Sequence, residues 1–199
     1  MSSAWETAYS QKSESERSWT QSVPADSLGI IDAAGLDRGS AVIDIGGGAS
    51  YLVDELVERG FTDVTLLDIS PGALDESRSR NGNRISYVAT DVTTWRPART
   101  FAMWHDRAVF HFLTTPEQQS GYVRAVLEGT TVGSHLVIAT FAPDGPDTCS
   151  GLPVRRWSAG DLIECFAGNF ESVSQARHLH TTPWGATQPF TFVLLVRRR

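Results

Sequence analysis

Residues 41–68, AVIDIGGGASYLVDELVERGFTDVTLLD, constrain this chain more than any other stretch. Ala41–Ile45 is short, apolar and rich in β-branched side chains, the pattern of a strand buried on both faces of a parallel sheet. Gly46, Gly47 and Gly48 follow without a break. Leu52, Val53, Leu56 and Val57 then fall on one helical face, and Gly60 is placed to end that helix. Asp63–Asp68 reads as a second buried strand with an acid at its C-terminal end. A strand, a tight glycine turn, a helix and an acid about twenty residues on make the nucleotide-binding half of a doubly wound sheet. The glycines let the backbone approach a ligand closely, and Asp68 stands where a pair of ribose hydroxyls would sit. An adenosine-like ligand is expected.

The loop also narrows the kind of ligand. A dinucleotide loop, G-x-G-x-x-G/A, needs a small residue where Tyr51 stands, and a phosphate loop needs a lysine that is absent here. Asp44 lies just before the glycines. A carboxylate there repels a pyrophosphate and attracts a cation. The run Asp44-Ile-Gly46-Gly-Gly48-Ala-Ser50 resembles the D/E-x-G-x-G-x-G signature of class I S-adenosylmethionine (SAM) methyltransferases, with Ser50 replacing the third glycine. The resemblance implies SAM as cofactor and S-adenosylhomocysteine as product. It implies cofactor contacts from Asp44, Gly46, Gly47, Gly48, Asp68 and Ile69, and from Asp91 and Val92 at the adenine.

Composition removes several other classes. The 199 residues suffice for one domain with a sizeable core. Seventeen basic against 23 acidic side chains leave a net charge of −6, so no nucleic-acid partner is expected. No apolar run reaches membrane-spanning length and no signal-peptide core opens the chain, so no membrane partner and a cytoplasmic location are expected. Cys149 and Cys165 are the only cysteines, without metal-ligand spacing, so no metal site is expected.

The remaining elements follow from caps and periodicity. Residues 23–36 suggest a short helix, and Ser70-Pro71 a capped helix ending near residues 81–83. Residues 85–91 and 101–106 read as the third and fourth strands. Thr115, Pro116 and Gln118 mark a capping box, with Tyr122, Val123, Val126 and Leu127 on the apolar face behind it. A fifth strand covers 135–141, a long Pro- and Gly-rich loop covers 142–157, and Ser158 caps another helix. The runs 171–180 and 189–198 are joined by a short turn and should pair antiparallel. The expected fold class is α/β: a doubly wound, Rossmann-like, mostly parallel seven-stranded sheet with a C-terminal antiparallel hairpin, the ending habitual in class I methyltransferases. The polar leader carries Trp5, Tyr9 and Trp19, which suggests a segment that docks on the domain. By the same resemblance, residues 1–22 would form a cofactor-covering segment, a disordered leader with hydrophobic pegs being the alternative, and 23–199 the methyltransferase domain.

The fourth strand should point at the transferred methyl group. It closes in Trp104-His105-Asp106-Arg107, unlike the N/D-P-P-Y/F pattern of enzymes that methylate planar amines. Asp106-Arg107-Ala108 and the later Gly145-Pro146 resemble the thiopurine and thiol methyltransferase branch. A small-molecule acceptor is expected, with sulfur the readier atom, since a thiol of pKa about 8.5 gives up its proton easily. The catalytic candidates are Asp106, Arg107 and His111. Arg107 would hold an anionic group on the acceptor, and Asp106 would act electrostatically. His111 is placed to act as a base, although packing is its commoner role. Strand alternation lets only one of His105 and Asp106 face the ligand, and Asp106 is the expected one. Cys149 is expected to be buried and inert, and Trp184 is favoured over Trp157 as a pocket wall. Two alternatives stand beside this expectation: methylation of a protein lysine, and a SAM-fold module that binds without catalysing.

Overall fold

The computed structural model of the chain describes Trp5 and residues 13–199. Tyr9 and most of the expected covering segment before Ser13 lie outside the described residues. The leading half is built from β1 (Val42–Ile45) and β2 (Val64–Asp68), both buried at every position, as apolar runs covered on two faces must be. Between them α1 (Leu52–Glu58) turns Leu52, Val53 and Leu56 inward, and Gly60 at φ +90° lets the chain leave the helix. Ahead of this unit runs α2 (Ala25–Ala33), shorter than the sequence suggests at both ends.

Beyond β2 the start signals act as expected. Ser70 Oγ accepts from Ala73 N and opens α3 (Pro71–Asn81), with Pro71 at its first position. β3 (Ser86–Ala89) and β4 (Met103–Arg107) follow. Thr115 and Gln118 close a full capping box on α4 (Pro116–Glu128), and β5 spans His135–Phe141. The long loop folds into a small antiparallel hairpin of its own, β6 (Thr148–Cys149) with β7 (Leu152–Pro153). Ser158 and Asp161 form a second capping box on α5 (Ala159–Phe166). The chain ends in β8 (Phe170–Thr181) and β9 (Thr187–Arg197), antiparallel to each other, with an irregularity between Ser172 and Ser174.

The seven long strands form one sheet in the order β3-β2-β1-β4-β5-β9-β8. Its first five strands are parallel, and β9 enters antiparallel to β5. The order reverses between β1 and β4, and a crevice opens at their C-terminal ends, where doubly wound sheets hold ligands. Strand alternation then divides the side chains. Val42, Leu66, Met103 and Val137 enter one core layer, shared with Leu28, Leu56 and Leu74 of the helices. Ile43, Ile45, Trp104, Leu136 and Ile138 enter the other, shared with Tyr122, Val126 and Leu162. Which face a residue takes on β4 therefore decides what it can touch.

Candidate active site

A cavity opens at the reversal point, lined by the C-terminal ends of β1, β2 and β4, the loop after β3, and residues preceding β1. Gly46 and Gly47 line it because nothing larger fits there. Gly46 holds φ +64°, donates its N–H to Leu67 O at 2.6 Å, and a Cβ on it would overlap Val109 Cγ2. A Cβ on Gly47 would overlap Asp44 Oδ2 and come within 2.6 Å of Leu66 Cδ1. Gly48, expected as a cofactor contact, lies outside the cavity lining and serves the turn instead, at φ +50°. Arg80 ties the loop down from α3: it bonds Ala49 O and Ser50 O, pairs with Asp54 at 2.8 Å, and stacks over Tyr51.

Asp44 is 3% exposed and does not stand alone. β1 and β4 pair with Asp44 beside His105, so both side chains emerge on the same face. Asp44 Oδ1 lies 2.7 Å from His105 Nδ1, and His105 Nε2 lies 2.9 Å from Ser27 Oγ on α2. With a carboxylate at Nδ1, that nitrogen carries the proton and Nε2 accepts from the serine hydroxyl. All three residues line the cavity. This hydroxyl–imidazole–carboxylate chain was not foreseen from sequence, where Asp106 stood in place of His105.

The other expected acids lie on the same cavity. Asp68 accepts from Ser70 N at 2.8 Å through Oδ1, so its carboxylate is fixed by the first turn of α3. Asp91 Oδ1 accepts from Thr93 N at 2.9 Å and from Thr93 Oγ1 at 2.6 Å. β3 stops at Ala89, two residues earlier than its expected end at Asp91, and Asp91 opens a turn. Ile69 and Val92 line the cavity beside the two acids.

The described part of the leader crosses over this crevice. Arg17, 5% exposed, grips Glu76 on α3 through two 2.7 Å bonds. On the far side His180 Nε2 donates to Ser18 O at 2.6 Å, and Arg107 Nη1 donates to Trp19 O at 3.1 Å. Trp5 sits edge-on to Trp19 (5.9 Å) and to Phe112 (4.9 Å), and all three rings line the cavity. Cys149, on β6, reaches it as well and is buried, as expected.

Two expected catalytic residues are placed elsewhere. Asp106 follows His105 on β4 and so points to the opposite core layer, away from the cavity. There it accepts from Tyr122 Oη at 2.6 Å, from Val109 N at 2.9 Å and from Phe110 N at 3.1 Å. Full burial outweighs these three donors and pushes its carboxyl up to about 6. The same alternation means that Asp106 and Arg107 cannot both face one ligand, and Arg107 is the one that does. His111 is fully buried beside Phe112 and Phe141, off the cavity, where its Nδ1 accepts from Phe141 N at 3.3 Å. Burial and then the Arg107 charge lower it to about 3, so it stays neutral and serves packing. Trp157 is core, against Phe110, and Trp184 stands 58% exposed in the last hairpin turn. Neither lines the cavity.

Residues 42–128 match a family model described as a methyltransferase domain. No curated protein sequence matches the chain. Among solved structures, one from work on the conversion of a disulfide bond into a thioacetal group during echinomycin biosynthesis superposes with a TM-score of 0.74 at 22% identity, covering 100% of this chain and 93% of its own. A SAM-dependent methyltransferase from Anabaena variabilis superposes at 0.73 and 15% identity, covering 99% and 93%. The 1,6-didemethyltoxoflavin-N1-methyltransferase of Burkholderia thailandensis superposes at 0.72 and 18% identity, covering 100% and 84%. Residues 42–128 are therefore similar to a methyltransferase domain, and the chain as a whole has the fold of the class I S-adenosylmethionine-dependent methyltransferases.

Proposed function

We propose that this chain is a SAM-dependent methyltransferase acting on a small molecule, with sulfur the favoured acceptor atom. The observation that carries this is one cavity bounded by a glycine turn with no room for a Cβ and by three carboxylates, Asp44, Asp68 and Asp91. That set suits a cationic adenosine ligand and would repel a pyrophosphate. Gly46 and Gly47 would take the backbone side of the ligand, Asp68 its ribose hydroxyls, and Asp91 with Ile69 and Val92 its adenine. When bound, SAM supplies an electrophilic methyl group on a sulfonium centre with a good leaving group.

The work left to the protein is to place the acceptor in line and keep water out. The rings of Trp5, Trp19 and Phe112 suit that task, and the leader acts as a cover held by Arg17–Glu76 and His180–Ser18. A proton leaving the acceptor at Ser27 Oγ would pass the serine's own proton to His105 Nε2, with Asp44 opposite the resulting imidazolium. A thiol needs little of this help, whereas an amine or hydroxyl needs more.

Sulfur draws support from the similar structure whose subject is the conversion of a disulfide bond into a thioacetal. Nitrogen is the second reading, favoured by the likeness to a toxoflavin N1-methyltransferase. Among the described residues no helix is long and apolar enough to cross a membrane, and a cytoplasmic location fits the composition. The test is transfer of labelled methyl from SAM to a panel of small thiols, phenols and amines, with histone and whole-lysate protein alongside. Label on a small thiol is the expected result. Label on protein alone would move the assignment to a lysine methyltransferase, and no transfer to any acceptor would leave a module that only binds.

A further inference from the structure

The acceptor end of the cavity holds a positive charge with no ion-paired carboxylate among the described residues. Arg107 reaches it from the last position of β4, on the same face as His105. Its Nη1 is spent on Trp19 O, and its guanidinium carbon lies 4.9 Å above the Phe190 ring. Its Nη2 is buried and makes no hydrogen bond among the described residues. No carboxylate comes within ion-pair distance of it there, although Arg17, Arg80 and Arg99 are all so paired. Three groups bear on it by charge: Asp26, engaged with His178 at 2.9 Å, the buried Cys149 thiol, and Asp44, engaged with His105. A part-buried guanidinium with one arm fully buried, and no counter-charge among the described residues, is costly, and a planar fork with one free arm is the shape that recognises a carboxylate. The lining of the same cavity includes the aromatic or apolar side chains of Trp5, Trp19, Phe112 and Pro24, beside polar Gln21 and Ser27.

We propose that Arg107 selects the acceptor by its charge, so that the methyl-accepting molecule is a flat, largely apolar compound bearing a carboxylate or an equivalent delocalised anion. This deepens the methyltransferase reading and rests on it. The anion takes the free Nη2, the flat body lies among the tryptophan and phenylalanine rings, and the accepting atom is left toward the glycine loop. Because Nη1 also holds Trp19 O, the acceptor's anion and the covering segment share one guanidinium, and filling the site tightens the cover over it. Burial lowers Arg107 to about 10, which leaves it charged at neutral pH.

The experiment compares an acid with its neutral isostere. 2-Naphthoate and 2-naphthamide are titrated by calorimetry into the full chain, with and without saturating S-adenosylhomocysteine. The acid is expected to bind about tenfold tighter or more, as charge-assisted bonds to a part-buried guanidinium require. Arg107→Gln should erase that ratio, with its melting curve showing that it folds. Arg107→Lys, which keeps the charge but not the fork, should retain only part of it. Equal binding of acid and amide to the unaltered chain, or a ratio that survives in Arg107→Gln, overturns the proposal. Failure of S-adenosylhomocysteine to bind counts against the methyltransferase reading instead, since the naphthoate arm without it is read independently.

Discussion

Gly47→Ala is expected to weaken S-adenosylhomocysteine binding roughly ten- to a hundredfold, the scale of an overpacking cost of about 1–3 kcal/mol at tenfold per 1.4 kcal/mol. The residue has no left-handed backbone angle, so the effect is steric. One added methyl overlaps Asp44 Oδ2 and presses on Leu66 Cδ1. Leu66 can turn away. Asp44 cannot do so without losing its 2.7 Å contact to His105, which in turn holds Ser27. The substitution therefore damages the loop and the polar chain beside it together. Calorimetry on the variant, with a melting curve to separate misfolding from lost affinity, reads the outcome. Binding unchanged from the unaltered chain would show that the ligand does not rest on this loop.

Asp106→Ala should cost about 3–5 kcal/mol of stability, because it strands three donors at once, two of them buried. Tyr122 Oη, Val109 N and Phe110 N all depend on this carboxylate, and Trp104 Nε1 donates in turn to Tyr122 Oη at 3.0 Å. The loss is one of folding rather than chemistry, although it reaches the site indirectly. Asp106 fastens the turn in which Ala108 takes φ +74°, and that turn presses Val109 against Gly46. Asp106→Asn keeps one acceptor oxygen and should fold. Its comparison with the unaltered chain carries a pH signature. The folded carboxyl sits near 6, above its ordinary 3.8, so its contribution is complete below about 4 and is lost as pH rises through 6. Two units correspond to about 3 kcal/mol at 1.36 kcal/mol per unit. Denaturant melts at pH 4 and pH 7 should therefore show the asparagine variant gaining on the unaltered chain at the higher pH. A gap that stays constant between the two would remove Asp106 as a titrating group of the fold.

Most of the architecture was legible because its signals are local. The glycine turn, the Ser70, Thr115 and Ser158 caps and the apolar β5 each announce themselves within a few residues, and each stands where expected. Asp68 at the end of β2 was legible for the same reason, since position along a strand is a one-dimensional property, whereas Asp91 falls two residues beyond β3. The polar chain at the centre of the site was not. Asp44 and His105 are 61 residues apart and meet only through the register of β1 against β4. Alternation alone says that His105 and Asp106 part company, but which one meets Asp44 depends on that register. His111 misled for a related reason: a histidine after the fourth strand is near the site in sequence, yet the turn at Ala108 swings it into the core. Trp184 misled because exposure in a hairpin tip was read as access to a ligand.

Titration calorimetry with S-adenosylhomocysteine and, separately, with NAD tests the central claim most directly, because both ligands present adenosine to a doubly wound sheet and differ in charge. Asp44 beside the glycine loop favours the ligand without phosphates. Micromolar binding of S-adenosylhomocysteine with no heat from NAD is the predicted result. Binding of NAD, or of neither ligand, would contradict it.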